Sequence, residues 1–160
     1  MEELWELRRY LEASDVAGAL ALLDEMEAIA KDDKIDRIAS VIQMLLMHLI
    51  KQAAEQRTTK SWQASICNAL YHICRTNKRR KAGGWHLTEA ELGEIIEEVY
   101  DAALNWAAQE ACEGLYTAEQ LATMHDRAQV IAAAFQNIRQ AQRDEEKIEN
   151  CMALGHGGSP

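Results

Sequence analysis

The only proline in this 160-residue chain is its last residue, Pro160. Proline is the strongest helix breaker because it lacks an N–H and clashes with the preceding turn. A chain free of it over its first 159 positions can run in long helices. The rest of the composition agrees: apolar residues reach 48%, glycines number eight, and Ala, Leu, Glu, Gln and Arg recur throughout. These are good helix formers, and the apolar content is enough for a packed core. An all-β fold, a collagen-like chain and a nucleotide fold built on strands and glycine-rich turns are excluded on these grounds.

Hydrophobic periodicity predicts an all-α, single-domain antiparallel bundle of about six helices over 1–149, with 150–160 as a flexible tail. The first helix covers Glu3 to Glu12, with Leu4, Leu7 and Leu11 in register and Trp5 beside them. Ser14 or Asp15 caps a second, striped by Val16, Ala19, Leu20, Leu23 and Met26, which Asp32-Asp33 should stop. The third runs from about Lys34 to Glu55 and is apolar on nearly every side, so Val41–Glu55 should be the enclosed axis of the core. Ser61 should cap a fourth helix ending near Arg75, and Asn77–Leu87 reads as the most mobile internal loop because of Gly83-Gly84. Thr88 with Glu91 is a capping box that opens the fifth, for which Gly114 is a suitable C-terminal stop. Thr117 with Gln120 repeats that box and opens a sixth helix running to about Ile148.

The net charge of −9 is unevenly spread. Between Glu55 and Glu89 there is no acidic residue, while Arg57, Lys60, Arg75, Lys78, Arg79, Arg80 and Lys81 give that window +7 against −16 for the rest. One reading is self-neutralisation against the chain's own acidic helices or those of a second copy. The other is a nucleic-acid contact through the basic loop Lys78, Arg79, Arg80 and Lys81, with Trp85 and His86 behind it, although four cations make a small footprint. Four cysteines, Cys67, Cys74, Cys112 and Cys151, follow an acidic start without a leader-like segment. No apolar run approaches the roughly 18 residues that cross a bilayer. The expectation is a cytoplasmic protein with reduced thiols and no membrane partner.

Signatures of chemistry are scarce. Cys67, His72 and Cys74 lack the C-x2-C spacing of a zinc site, and no histidine follows a Glu at the interval a di-iron bundle needs. Glu94, Glu97, Glu98 and Asp101 read as a solvated helix face, and His125-Asp126 as an isolated, exposed pair. No phosphate loop, nucleophile elbow, metal or cofactor is indicated, and no catalytic residue is assigned. His48 is the exception in kind: it interrupts Leu45-Leu46-Met47-His48-Leu49-Ile50, where an imidazole must find a hydrogen bond or destabilise the fold by about 1–3 kcal/mol. It is either a satisfied core histidine or part of an anion or partner site with Lys51, Arg57, Lys60, Ser61 and Trp62, near a helix N-terminus.

The stretch Leu45-Leu46-Met47-His48-Leu49-Ile50-Lys51, a short basic connector, then Ser61-Trp62 and Ser65-Ile66, resembles the bacterial domain-of-unknown-function 29 family. Its pattern reads LLMHLLK, a basic stretch, then SW-x-x-(S/T)I. Leu22–Ala30 is similar to its acidic second helix, and Tyr116-Thr117 to Leu121 to its late turn. The chain departs from the pattern at Gln52 and Ala53, where an aromatic is usual, and in a connector without proline; the region beyond Met124 is not clearly part of it. The resemblance implies an all-helical fold and a bacterial, cyanobacterial source, and brings no established activity. Two functions are carried forward. The first is a non-enzymatic interaction module that self-associates as a homodimer or binds a protein partner, motivated by Ile131, Ala134, Phe135 and Ile138 on the sixth helix. The alternative is a nucleic-acid-associated or nuclease-like protein using 57–81 with His48 as acid/base.

Overall fold

The computed structural model describes residues 1–79, 81 and 83–145. It is helical throughout, with α1 (Glu2–Glu12), α2 (Val16–Glu55), α3 (Lys60–Asn77), α4 (Glu89–Glu110), α5 (Ala118–Ala122) and α6 (Arg127–Arg143). The all-α class and the count of six hold among the described residues, but two boundaries differ from the sequence reading. Asp32-Asp33 does not stop a helix: α2, 40 residues long, runs through it. Aspartate costs a helix interior only about 0.7 kcal/mol, far less than proline, and α2 has no proline to end it. Conversely, the expected sixth helix is two. Asp126 turns out of helical geometry and accepts from the Ala128 and Gln129 N–H groups, so it caps α6 and separates it from α5. The expected tail, 150–160, lies outside the described residues.

The chain forms two compact units, Met1–Arg37 and Ile38–Pro160, and α2 contributes to both. In the first, Ser14 takes a left-handed φ of 57° and Asp15, not Ser14, caps α2 by accepting from the Gly18 N–H at 3.0 Å. Gly18 admits Tyr10 so closely that a Cβ there would lie 2.6 Å from its ring. Only Ala19 of this unit is buried. Of the stripes that periodicity marks, Leu4 and Leu11 on α1 and Val16, Leu20 and Leu23 on α2 stay open, as does Trp5, while Leu7 and Met26 are half-buried.

The second unit holds the core. Its axis is the last part of α2, where Leu45 through Lys51 are buried without interruption, as the sequence leads one to expect. Ile73 of α3, Leu92 and Ile96 of α4, Leu121 of α5 and Ile138 of α6 complete it. The α6 stripe Val130, Ala134, Ile138 and Ala141 is therefore covered inside the chain, with α6 packed on α3 and α4. Of the α6 residues expected to need a cover, Ala134 and Ile138 are buried and Ile131 and Phe135 are half-buried. The Thr88–Glu91 and Thr117–Gln120 capping boxes form as read. The fourth-helix cap is displaced by two: Thr59 rather than Ser61 accepts from the Trp62 N–H, at 3.1 Å. Helix α4 stops at Glu110, before Gly114, and Cys112, Glu113 and Gly114 then turn left-handed. Gly114 is required there, since a Cβ would meet the Gln109 carbonyl oxygen at 3.0 Å.

Candidate functional site

His48 and Lys51 lie one turn apart near the end of α2, both buried. The Lys51 ammonium reaches Glu110, at the end of α4, with Nζ 2.7 Å from the carboxylate. The ends of this pair are unlike: the Lys51 side chain is 7% exposed and that of Glu110 52%. Trp62, in the first turn of α3, receives two cations, Lys51 Nζ at 4.7 Å and the Arg57 guanidinium at 4.9 Å from its ring centroid. Cation–π attraction of this kind is worth about 0.5–2 kcal/mol, more when water is excluded. Arg57 also meets Glu55 at 3.2 Å. Lys51, Arg57 and Trp62 are thus brought together as expected, around a carboxylate that sequence spacing could not supply: Glu110 is 59 residues from Lys51.

His48 is sealed, and its Nδ1 has no hydrogen-bond partner. Burial, then the Lys51 charge, hold its imidazole below the ordinary value, with Glu110 opposing. Its Nδ1 therefore lacks the hydrogen bond that a satisfied core histidine makes. Lys60 and Ser61 are exposed at the start of α3. An anion arriving here would compete with Glu110 and Glu55 for the same cations.

The basic loop is bonded at both ends. Asn77, fully buried, anchors both of its ends: its carbonyl accepts from the His86 N–H at 2.7 Å, its side-chain oxygen from the Leu87 N–H at 2.9 Å, and its amide donates to Gln142 at 3.0 Å. Lys78 and Trp85 form an antiparallel bridge, with Gly83 and Gly84 at φ of 70° and 74° closing the turn. The loop is tied at its base. Lys78 is paired with Glu145 at 2.6 Å, Arg79 and Lys81 are exposed, and Arg80 lies outside the described residues.

Two further groups escaped the sequence reading. His125 is half-buried, not an exposed pair with Asp126: its Nδ1–H donates to the Leu121 carbonyl at 2.9 Å and its Nε2 accepts from the Tyr100 hydroxyl. Burial pushes the Tyr100 phenol up, and Arg127, whose guanidinium lies 4.8 Å from the ring centroid, opposes that rise. The second is Asn77, whose only sequence signal is its place just before the basic run. Among the described residues Cys67, Cys74 and Cys112 form no disulfide. Burial pushes Cys74 up to about 11, as does nearby Glu145, which keeps it an inert thiol at neutral pH. No cluster of three metal-ligating side chains occurs among the described residues.

A family model, domain of unknown function DUF29, matches residues 13–126. The chain belongs to the DUF29 family. The matched stretch carries the buried histidine and lysine of α2, the tryptophan of α3 and the Glu110 carboxylate; α6 lies C-terminal to it. No curated protein and no solved structure shows a significant match to this DUF29 chain. No described helix is long and apolar enough to cross a membrane.

Proposed function

We propose that this DUF29 protein is a non-enzymatic interaction module that associates with a second copy of itself. The observation that carries the reading is the apolar surface of α1 and the start of α2. Trp5 is 66% exposed, Val16 63% and Leu20 55%, and Val16, Leu20 and Leu23 stand at i, i+4 and i+7 on one helix face. Large apolar side chains grouped on adjacent turns mark an association surface more often than a solvated one. A symmetric contact is the commonest way for a soluble chain to cover such a face. Of the α6 residues that first suggested self-association, Ala134 and Ile138 are covered within the chain, while Ile131 and Phe135 are half-buried.

Light scattering after size exclusion tests it directly. The wild-type chain at about 50 μM, a concentration well above the Kd of a micromolar dimer, should elute with twice the chain mass. Leu20→Glu and Trp5→Glu should return it to the monomer without loss of helicity. A monomeric wild type at that concentration removes the reading.

A nucleic-acid-associated or nuclease-like role for 57–81, with His48 as acid/base, has less support. Lys51, Arg57 and Lys78 already face carboxylates, and His48 is buried. The anion or partner site at His48, Lys51, Arg57, Lys60, Ser61 and Trp62 rests on one observation, the unpartnered His48 Nδ1. Native mass spectrometry of the purified chain tests it: a co-purified anion lost in Lys51→Met supports the site, and a clean apo mass removes it.

A further inference from the structure

A groove of about 950 Å³ runs between α4 and α6 and is open to solvent. Its floor is apolar and built from small and large residues together: Gly93 and Ile96 of α4, Ala128, Ile131 and Phe135 of α6. The helices run antiparallel, because Glu89 pairs with Arg139 and Glu97 with Arg127. Eight residues of α4 and twelve of α6 separate those two bridges, about 12 and 18 Å, so the groove accepts about two to three turns of a helix. Its α4 wall is acidic. Glu89, Glu94, Glu97 and Glu98 all line it, and Glu94 and Glu98 make no ion pair among the described residues.

Gly93 supplies an independent pointer. A glycine in the interior of a helix weakens it relative to alanine, so a reason for it is wanted. Packing within the chain gives none. A Cβ at this position would meet only the Phe135 ring, at an ordinary 4.0 Å. What the missing side chain does is keep the floor of the groove deep, which matters only to something that enters it.

We propose that this groove docks a cationic amphipathic helix of a partner protein, its apolar face against Gly93, Ile131 and Phe135 and its Lys or Arg residues against Glu94 and Glu98. The acidic wall selects against fatty acids and other anions, and the open, elongated form suits a helix better than an enclosed small molecule. The proposal extends the interaction-module reading, but its surface is not the α1–α2 face.

The probe is a fluorescein-labelled Leu/Lys helical peptide of about 14 residues, long enough to overfill the groove, with a Leu/Glu peptide of the same pattern as control. Binding is read by fluorescence anisotropy on the full chain. The Leu/Lys peptide should saturate at one per chain, weaken on added salt, and lose about tenfold or more in affinity with Gly93→Leu, while the Leu/Glu peptide should not bind. Ala128→Leu fills the same groove from α6 and should act alike, so misfolding of one variant leaves the other decisive. Glu94→Gln with Glu98→Gln should reduce both affinity and salt dependence. Equal binding to the filled variants, equal binding of the acidic peptide, or no saturation by about 100 μM overturns the proposal. So does a dimer of the free chain that Gly93→Leu splits, which would make the occupant a second copy. Because self-association is read from the mass of Trp5 and Leu20 variants without peptide, either idea can fail alone.

Discussion

Lys51 and Glu110 share one ion pair but not one environment, and the two ends should respond differently to mutation. Removing Glu110 strands an ammonium that is 7% exposed, whereas removing the Lys51 charge leaves a carboxylate already half in water. Glu110→Ala is therefore expected to destabilise the fold by about 2 kcal/mol, and Lys51→Met, which keeps the stem against Trp62, by under about 1 kcal/mol. Urea unfolding of both variants at pH 7 checks the order. His48 makes a pH prediction of definite sign. Its imidazole is held below the ordinary value of about 6.5, so above that pH it is neutral in both states and stability is full. As pH falls below 6.5 the unfolded chain takes the proton first, and stability drops until the lower folded value is passed. His48→Phe should flatten this decline between about pH 7 and 5 and, by deleting an orphaned Nδ1, cost little or nothing at pH 7. A steeper acid decline in the variant would contradict it. His48 and Lys51 were legible in the sequence because a polar residue inside an apolar run announces itself. Glu110 was not, since a pairing across 59 residues leaves no local mark.

At the scale of single helices, the signals that worked were local and reciprocal. Thr88 with Glu91 and Thr117 with Gln120 each satisfy two otherwise unpaired N–H groups within one turn, and both form as read. Thr88→Ala should accordingly lower stability by about 1 kcal/mol, measurable as a fall in the thermal midpoint. The signals that misled were weak preferences taken as stops. Two aspartates in mid-chain resemble a cap, yet α2 carries them with small loss because its far end is anchored in the core. Asp126 was overlooked because Ala128, Ile131 and Phe135 continue the apolar spacing across the break. Gly93 offers a control on the groove. Gly93→Ala should stabilise α4 by about 0.5–1 kcal/mol, since the position is helical and the new methyl meets nothing closer than 4.0 Å. A destabilised Gly93→Ala would mean that packing within the chain demands the glycine.

Over the whole molecule, the core of the second unit is one in which every helix from α2 to α6 places a fully buried residue. Helix α6 lies beyond the stretch matched to the family, yet it seals this core on α3 and α4. Ile138→Ala should cost about 3 kcal/mol, with the loss visible in global unfolding and not only in local fraying of α6. The all-helical class and the central place of the Val41–Glu55 segment were readable from periodicity alone, because a helix apolar on all sides has nowhere else to go. The covering of Ala134 and Ile138 by the chain itself was not, since an apolar stripe looks the same whether its cover is its own chain or another. Asn77 sits where α3, the basic loop and α6 are joined, fully buried and bonded in three directions. With both ends of the loop clamped this way, the stretch between Arg79 and Gly84 is a natural graft point: a foreign epitope or reporter spliced in there should leave the melting behaviour of the bundle as it was.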